Sequence, residues 1–374
     1  MKLPNIATKF FLVGCAVASL SCYTIFPDIS KANINTIAEK LPPPPEPQVP
    51  ITPLPNPENP WQRVRLLHNI KAHWGPIYAL TFSPDGRYLA SGGTDIDTKI
   101  RLWNPIKGNK IRTINAHSNR VLALAITPDN LTIASGSEDA TLNIWSLKNG
   151  KLSRSLTHEF SNILSIAITP DGQTLVTGGL DGIKLIDLKT ERLLYNRVPL
   201  SQPIVYAVAL SPNGQILATG GRDKTIQLWN IQTSQFLGTI PGHQGAITSL
   251  AFSPDGNILV SSSYDHTIKV WNLANRRSFT LVGHQDIVNS VAVHPDGRTV
   301  ASAGRDGVRI WDLQTGQQIR SIAIDTDWVQ TVAFSPDGNL LATGAFDGKL
   351  KIWEGINQNF PIEFGKHQKK EGGN

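Results

Sequence analysis

Cysteine and methionine are the scarcest residues in this chain of 374 residues, which has two cysteines and one methionine. Both cysteines, Cys15 and Cys22, lie near the N-terminus, so no disulfide and no cysteine-ligated metal site can stabilise the remainder. That remainder is long enough to bury a large apolar core without covalent cross-links. Its fold must therefore be held together by side-chain packing and hydrogen bonds.

A strong excess of one charge sign is also lacking. Charged residues make up 17% of the chain, and the formal net charge of +6 is spread along it. The one basic cluster ends the polar tail, residues 357–374, which we interpret as a solvated terminus. Nucleic-acid binding typically needs a basic face interleaved with stacking aromatic residues. The sequence therefore predicts no nucleic-acid partner.

A sustained helical period is missing between residues 61 and 356, and a tandem repeat stands in its place. A four-residue turn related to Ser-Pro-Asp-Gly recurs every 41 to 44 residues. Its copies begin at Ser83, Thr127, Thr169, Ser211, Ser253, His294 and Ser335. Each copy leads through an apolar run and a Gly- or Ser-rich patch to an Asp and then to a tryptophan slot. The slots hold Trp103, Trp145, Ile186, Trp229, Trp271, Trp311 and Trp353.

The local patterns inside one copy are those of β-strands. Residues 246–252, AITSLAF, alternate small or polar residues with larger apolar ones, and residues 266–273, HTIKVWNL, alternate again. Runs of this kind, bounded by Pro, Gly, Asp and Ser, indicate strands joined by tight turns. Seven copies predict an all-β fold: a seven-bladed β-propeller with four strands in each blade, over residues 61–356.

The repeat resembles the WD-repeat family over residues 61–355. The signature of that family is a Gly-His near the start of a unit and a Trp-Asp near its end. Gly242-His243 and Trp311-Asp312 match the two elements, and other copies carry close variants. The resemblance implies four-stranded blades and the role of a protein-interaction scaffold.

Closure of the ring can be predicted from the two ends of the repeat. The last copy runs out after KLKIWE, residues 349–354, without a good fourth strand. Residues 61–73, WQRVRLLHNIKAH, resemble the fourth-strand stretch GNKIRTINAH at residues 108–117. We therefore expect the strand around Val64–Ile70 to complete the seventh blade, which leaves no unpaired terminal blade.

Four copies hold a His, a Ser, an Asp and a Trp in a fixed order. A Ser-His-Asp catalytic triad is the weaker interpretation, because an active site is normally built once whereas this set recurs. In the WD-repeat family the equivalent residues form a buried hydrogen-bonded set, and the resemblance implies the same structural role here. The residues are His73, Ser91, Asp97, Trp103, His117, Ser135, Asp139, Trp145, His243, Ser261, Asp265, Trp271, His284, Ser302, Asp306 and Trp311. We predict no catalytic residue, no cofactor and no metal site.

Three copies depart from this set. The third has His158 and Asp181 but Ile186 in the tryptophan slot, and the fourth and seventh have no histidine. A buried acceptor without a donor costs about 1–3 kcal/mol. We therefore expect that water or another donor reaches Asp223 and Asp347, or that blades 4 and 7 are locally less stable.

The first copy carries a two-residue insertion that brings Asp95 close to Asp97 in sequence. Such a pair bears a weak resemblance to a cation site. A solvated turn is the favoured interpretation, because Ca²⁺ takes six or more oxygen ligands.

The first 60 residues do not share the repeat. Lys2 and Lys9 precede an apolar run over residues 10–26, and a small-residue site ends at Ala32. A charged start, a hydrophobic segment and a small-residue site predict an export signal or membrane anchor over residues 1–32.

The sequence leaves three possibilities open for the fate of the leader and for attachment to a membrane. The leader could be cleaved after Ala32, lipidated at Cys15 (LVGC) or Cys22 (SLSC), or kept as a short anchor. Residues 33–60 are Pro-rich and favour an extended linker over a folded domain. Because both leader lysines precede the apolar run, we expect an extracytoplasmic propeller, periplasmic or membrane-anchored, with a cytoplasmic location as the alternative.

A partner-binding face is predicted around the mouth of the central channel. Loops before the first strand of each blade, and loops between its second and third strands, would form this face. Just inside the first strand, blades 1–4 have large apolar residues where blades 5–7 have Thr248, Asn289 and Gln330. Tyr, Trp and Arg, which are enriched in interface hot spots, recur at this face. The candidates are Tyr78, Leu122, Leu164, Leu180, Tyr206, Arg222, Tyr264, Arg305, Trp328 and Phe346.

The function predicted from these features is that of a non-enzymatic scaffold that binds a protein or peptide on the channel face. One alternative is an extracytoplasmic propeller enzyme or ligand-binding protein. The other is a cytoplasmic assembly factor. We expect a monomer, and the sequence specifies neither the partner nor the pathway.

Overall fold

The structure is a computed structural model that describes residues 59–157, 161–190, 192–197, 204–322 and 328–356. The predictions for the leader, for most of the linker, for the polar tail and for His158 lie outside these residues. Within them, no helix has the length and apolar character required to cross a membrane.

Seven four-stranded antiparallel sheets make up the described residues, and each corresponds to one repeat copy. Blade 1 contains β2 (Ala79–Phe82), β3 (Leu89–Gly92), β4 (Lys99–Trp103) and β5 (Lys110–Asn115). Blade 2 contains β6 (Val121–Ile126), β7 (Thr132–Ser137), β8 (Leu142–Ser146) and β9 (Leu152–Leu156). Blade 3 contains β10 (Ile163–Ile168), β11 (Thr174–Gly179), β12 (Gly182–Asp187) and β13 (Arg192–Arg197). Blade 4 contains β14 (Val205–Leu210), β15 (Ile216–Gly221), β16 (Thr225–Asn230) and β17 (Phe236–Pro241).

The remaining three blades follow the same order. Blade 5 contains β18 (Ile247–Phe252), β19 (Ile258–Ser263), β20 (Ile268–Asn272) and β21 (Arg277–Leu281). Blade 6 contains β22 (Val288–Val293), β23 (Thr299–Gly304), β24 (Gly307–Asp312) and β25 (Gln318–Ile322). Blade 7 contains β26 (Val329–Phe334), β27 (Leu340–Ala345), β28 (Lys349–Gly355) and β1 (Val64–Lys71). The predicted all-β, seven-bladed propeller with four-stranded blades is confirmed.

The recurring Ser-Pro-Asp-Gly turn joins the first two strands of each blade. In blade 1 the Gly86 N–H donates to the Ser83 carbonyl at 2.9 Å, and Ser83 Oγ donates to Asp85 Oδ1 at 2.6 Å. Gly86 has φ +71°, a left-handed conformation that costs glycine little. Asn130 takes this position in blade 2 with φ 59°, in keeping with the tolerance of Asn for that region.

The ring is closed by the N-terminal strand, as predicted. Strand β1 pairs antiparallel with β28, and Leu66 lies opposite Trp353. A short 3-10 helix, Pro60–Gln62, precedes the strand and buries Trp61 completely. Asn59 caps this helix through its Oδ1, and its Nδ2 donates to Thr299 Oγ1 of blade 6 at 3.0 Å. The closing segment therefore contacts the sixth blade as well as the seventh.

The apolar core lies between adjacent blades. Each cluster takes residues from two neighbours, such as Ile226 of blade 4 with Trp271 and Ile247 of blade 5. In blade 3, Ile186 occupies the tryptophan slot, opposite Leu175 and 2% exposed. Blade-to-blade packing of this kind stabilises the ring by burial of apolar area, without any disulfide.

The innermost strand of blades 2 to 7 contains a β-bulge at the same point. In blade 2, Val121 pairs with Ser137 and Ala123 pairs with Gly136, so Leu122 between them has no partner. The equivalent register shift occurs in the other five blades. A bulge re-aims the side chain of the extra residue. Here it adds one side chain per blade to the wall of the central channel.

Candidate functional site

Each of the four predicted His-Ser-Asp-Trp sets is assembled as a buried chain of hydrogen bonds. In blade 5, Trp271 Nε1 donates to Ser261 Oγ at 2.9 Å, and His243 Nε2 lies 2.8 Å from the same Oγ. His243 Nδ1 lies 3.0 Å from Asp265 Oδ2. The sets of blades 1, 2 and 6 repeat these contacts, with Trp–Ser distances of 2.8–2.9 Å and His–Ser distances of 2.7–2.8 Å. The contacts tie the second and third strands to the loop before the first strand.

The serine of each set is not placed to act as a nucleophile, although the His-Ser-Asp order and distances resemble a triad. Ser91, Ser135, Ser261 and Ser302 are all 0% exposed, so no substrate carbonyl can approach their Oγ atoms. The tryptophan N–H also occupies a lone pair on each Oγ. These contacts give the four sets a structural role.

The charge state of the sets follows from burial and hydrogen bonding. Burial alone would raise the pKa of Asp306, but hydrogen bonds from His284, the Gln285 N–H and Arg309 lower it to about 2. Burial lowers the pKa of His284 below its ordinary value, against the opposing effect of Asp306. At neutral pH the set in blade 6 is therefore a neutral imidazole hydrogen-bonded to an ionised carboxylate.

Blade 1 adds an arginine to its set. Arg101 Nη1 lies 2.7 Å from Asp97 Oδ2 and 2.6 Å from His73 Nδ1. His73 Nδ1 also lies 3.1 Å from Asp97 Oδ2, so the guanidinium, the imidazole and the carboxylate are all in mutual contact. Asp97 is buried against these two partners, so the expected solvated turn holds for Asp95 but not for Asp97. Asp95 is exposed, with its Oδ2 3.8 Å from Arg120.

The blades without a complete set use other donors. In blade 4, Gln227 Nε2 donates to Asp223 Oδ2 at 3.1 Å. In blade 7, Lys349 Nζ lies 2.6 Å from Asp347 Oδ2. In blade 3, Lys184 Nζ contacts Asp181. Among the described residues, no group of three or more His, Cys, Asp or Glu side chains could hold a metal ion.

The central channel is the site at which the partner candidates converge. Seven half-buried residues, here called the channel slots, line a cavity of about 190 Å³ in the channel. They are Tyr78, Leu122, Leu164, Tyr206, Thr248, Asn289 and Gln330. Tyr78 precedes β2 by one residue, and the other six are the bulged residues of the innermost strands. The structure thus brings together the seven positions that the repeat register makes equivalent.

Two of the polar channel slots bind the neighbouring blade. Thr248 Oγ1 donates to the Val288 carbonyl at 2.6 Å, and Asn289 Nδ2 donates to the Val329 carbonyl at 2.9 Å. These bonds connect blade 5 to blade 6 and blade 6 to blade 7. Two of the three polar slots therefore have a structural role, whereas the slots of blades 1–4 hold large side chains that offer apolar area to a partner.

A second ring of loop residues surrounds the channel mouth. In blades 2 to 7, the residue before the turn Asp donates its backbone N–H to the carbonyl of the residue just before the first strand, at 2.8–3.3 Å. We call these the mouth pairs. They are Arg120–Glu138, Asn162–Leu180, Ile204–Arg222, Ala246–Tyr264, Ile287–Arg305 and Trp328–Phe346. The candidates Leu180, Arg222, Tyr264, Arg305, Trp328 and Phe346 are all members of mouth pairs.

Aromatic side chains are exposed at this mouth and contact one another edge-on or at a tilt. Trp328 and Phe346, 36% and 42% exposed, have ring centroids 5.2 Å apart, and the Arg305 guanidinium lies 4.1 Å from the Trp328 ring. Tyr264, 41% exposed, lies 6.5 Å from the Tyr206 ring. The ring contacts hold these side chains in place while leaving their outer surfaces open to solvent.

Sequence reasoning missed three features of this site: the bulges, the backbone bonds of the mouth pairs and the contact of Arg305 with Trp328 and of Trp328 with Phe346. The bulge leaves no residue signature, because Leu, Tyr, Thr, Asn and Gln all occupy it. The contact between the two rings could have been found by noting that Trp328 and Phe346 occupy the two positions that pair in the other blades.

The seven four-stranded blades and the repeated His-Ser-Asp-Trp sets place this chain in the class of repeat-built β-propellers, with a ring closed by strand pairing. The WD40 family model, described as "WD domain, G-beta repeat", matches residues 64–104, 108–146, 150–183, 199–230, 234–272, 275–312 and 316–354. The chain belongs to this family, whose propellers typically serve as protein-interaction scaffolds.

Curated relatives match only short stretches. WD repeat domain-containing protein 83 of Xenopus laevis is 34% identical over 65 residues, which is 17% of this chain and 20% of the relative. Periodic tryptophan protein 2 homolog of Mus musculus is 33% identical over 57 residues, 15% of this chain and 6% of the relative. The chain thus matches a fifth or less of the length of these relatives.

Proposed function

We propose that this protein is a non-enzymatic scaffold that binds a protein or peptide across the mouth of its central channel. The observation that carries the proposal is the exposed group of Arg305, Trp328 and Phe346 at that mouth, in which the guanidinium lies over the indole and the two rings meet edge-on. Trp and Arg are among the residues that dominate interface hot spots. Contiguous exposed apolar side chains mark interaction sites more often than scattered ones do, and Trp328 and Phe346 are in contact.

The channel slots extend this surface inward. A partner side chain that enters the cavity of about 190 Å³ would meet Tyr78, Leu122, Leu164 and Tyr206 on its apolar side. Arg222 and Tyr264 lie at the edge of the same surface, as members of mouth pairs. The proposed partner therefore lies over the mouth and places an apolar side chain in the channel.

A matched pair of variants tests the proposed face. Phe346, at the mouth, and Phe236, on the outermost strand of blade 4, are 42% and 43% exposed. The full chain would serve as bait for membrane and soluble extracts of its source, with captured proteins identified by mass spectrometry. We expect Phe346→Ala to lose partners that the wild type and Phe236→Ala both retain. Equal loss with Phe236→Ala, or no loss with Phe346→Ala, would contradict the proposed face.

We further propose that the propeller lies outside the cytoplasm, exported or attached through residues 1–32, with residues 33–60 as a spacer. The support is the leader pattern, in which Lys2 and Lys9 precede an apolar run. Fractionation of cells, together with the mass of the mature N-terminus, tests this proposal. Recovery of the uncleaved chain in the cytoplasm would contradict it and would favour a cytoplasmic assembly factor.

A further inference from the structure

A pocket separate from the channel lies at the seam where the ring closes. It lies between β1, the outermost strand of blade 7, and strands β4 and β5 of blade 1, and its volume is about 340 Å³. We call it the seam pocket. Its lining includes Lys71, Trp74, Arg101, Trp103 and Lys110. This volume falls within the range of about 300–1,000 Å³ that is typical of ligand sites.

The electrostatics of the seam pocket are positive. Arg101 is balanced by Asp97, whose Oδ2 lies 2.7 Å away, but no ion pair within the described residues neutralises Lys71 or Lys110. The Lys71 ammonium donates to the backbone carbonyl of Asp347, and the Asp347 carboxylate, which is paired with Lys349, also attracts it electrostatically. The lining thus includes two lysines on different blades, Lys71 on β1 and Lys110 on β5.

Trp74 adds an exposed apolar surface to these charges. It is 77% exposed, and its backbone N–H donates to Asp97 Oδ2 at 3.3 Å, which fixes the start of the side chain. The residue that follows the histidine in blades 2, 5 and 6 is Ser118, Gln244 or Gln285, all polar. An indole in this position is therefore a feature of the first blade and is not required by the repeat.

The corresponding seam between blades 4 and 5 shows what the repeat itself supplies. There the counterparts of Lys71 and Trp74 are Pro241 and Gln244, while Lys269 and Trp271 take the places of Arg101 and Trp103. The repeat supplies the buried tryptophan and one cation. The two flanking lysines and the exposed indole are additions specific to the closing seam.

We infer that the seam pocket binds an acidic peptide segment, with carboxylates on Lys71 and Lys110 and an apolar side chain against Trp74. Opposite charges give such a contact its specificity, and an exposed tryptophan supplies apolar area at low entropic cost. The site lies on the two outer strands of its blades, away from the channel slots. It is therefore independent of the proposed channel-mouth interface.

A direct binding assay tests this site. The probes are a short fluorescein-labelled peptide of alternating glutamate and leucine, and a lysine–leucine peptide of the same length. Fluorescence anisotropy with the full chain should show binding of the acidic peptide, weaker at higher salt, and no binding of the basic one. Trp74→Ala and Lys110→Glu should each raise the Kd for the acidic peptide about tenfold or more.

Matched controls separate this site from general charge and from the channel. Lys151→Glu reverses an exposed lysine of blade 2, and Val282→Ala truncates a side chain that is 77% exposed, as Trp74 is. Neither control, nor Tyr78→Ala with Tyr206→Ala, should change binding of the acidic peptide. The proposal is overturned if the wild type binds neither peptide, if it binds both equally, or if a control weakens binding as much as Trp74→Ala.

Discussion

Trp61 packs edge-on against Phe334 of the innermost strand of blade 7, with ring centroids 5.0 Å apart and the indole completely buried. The segment before β1 thus reaches across its own blade. It also contacts blade 6, because Trp61 lies 6.1 Å from the His294 ring. This one side chain joins the N-terminus of the propeller to its last two blades.

We predict that Trp61→Ala destabilises the propeller strongly, because truncation of a buried tryptophan typically costs about 3–5 kcal/mol. Deletion of residues 61–70 should lower the free energy of unfolding further, since it also removes most of β1. Urea unfolding followed by fluorescence provides the measurement. Trp74→Ala is the control, because it removes an exposed indole, and its midpoint should stay near that of the wild type. Closure through the N-terminus would be contradicted by a Trp61→Ala midpoint equal to that of Trp74→Ala.

The fold was predictable from the sequence because the repeat is a local pattern read seven times. A turn such as Ser83–Gly86 and a strand ending at Trp271 are recognisable in one copy, and the other copies give the register. The interior of the channel was predictable only as a set of equivalent positions. Whether Thr248 faces a ligand or the next blade depends on the position of the Val288 carbonyl, which no local pattern encodes.

We predict that Thr248→Val destabilises the contact between blades 5 and 6. The substitution keeps the shape of the side chain but removes the hydroxyl that both the Val288 carbonyl and the buried Ser262 hydroxyl bind, at a cost of about 1–3 kcal/mol for each group left unpaired. Gln330→Leu is the control, because the slot of blade 7 has no comparable bond to a neighbouring blade within the described residues. In thermal unfolding, the melting temperature of Thr248→Val should be lower than those of the wild type and of Gln330→Leu. Identical curves for all three would show that the inter-blade bond contributes nothing.

The stability of the propeller in acid should depend on the protonation of the His-Asp pairs. The folded pKa of Asp306 is about 2, below its ordinary value, so its stabilisation is present above about pH 4 and is lost as the pH falls toward 2. The pKa of His284 is lowered, so below about pH 6.5 the unfolded state takes up a proton more readily than the folded state. Both effects make the protein less stable in acid.

Urea midpoints measured between pH 7 and pH 2 check this expectation. Asp306→Asn should reduce the loss of stability below about pH 4, since the variant has no carboxylate to protonate. A wild-type midpoint that is flat over the whole range, or Asp306→Asn with the full wild-type slope, would contradict the assignment.

The apolar channel slots should contribute to partner affinity more than to folding. Tyr78→Ala combined with Tyr206→Ala removes two half-buried rings from the channel wall. Hot-spot truncations cost about 2 kcal/mol or more, which is roughly thirtyfold in Kd for each side chain. Titration of an identified partner, together with a melting curve, measures both effects. A double variant that unfolds would show that the rings are core, and one that binds normally would place the interface elsewhere.

Site-specific photocrosslinking tests the channel-mouth interface most directly. A benzophenone amino acid would replace Phe346 at the mouth in one chain and Phe236 on the outer strand of blade 4 in another, two positions of nearly equal exposure. Irradiation in the cell of origin, followed by mass spectrometry, would identify any covalent adduct. We predict a defined protein adduct from position 346 and none from position 236. An adduct from position 236 without one from position 346 would contradict the account.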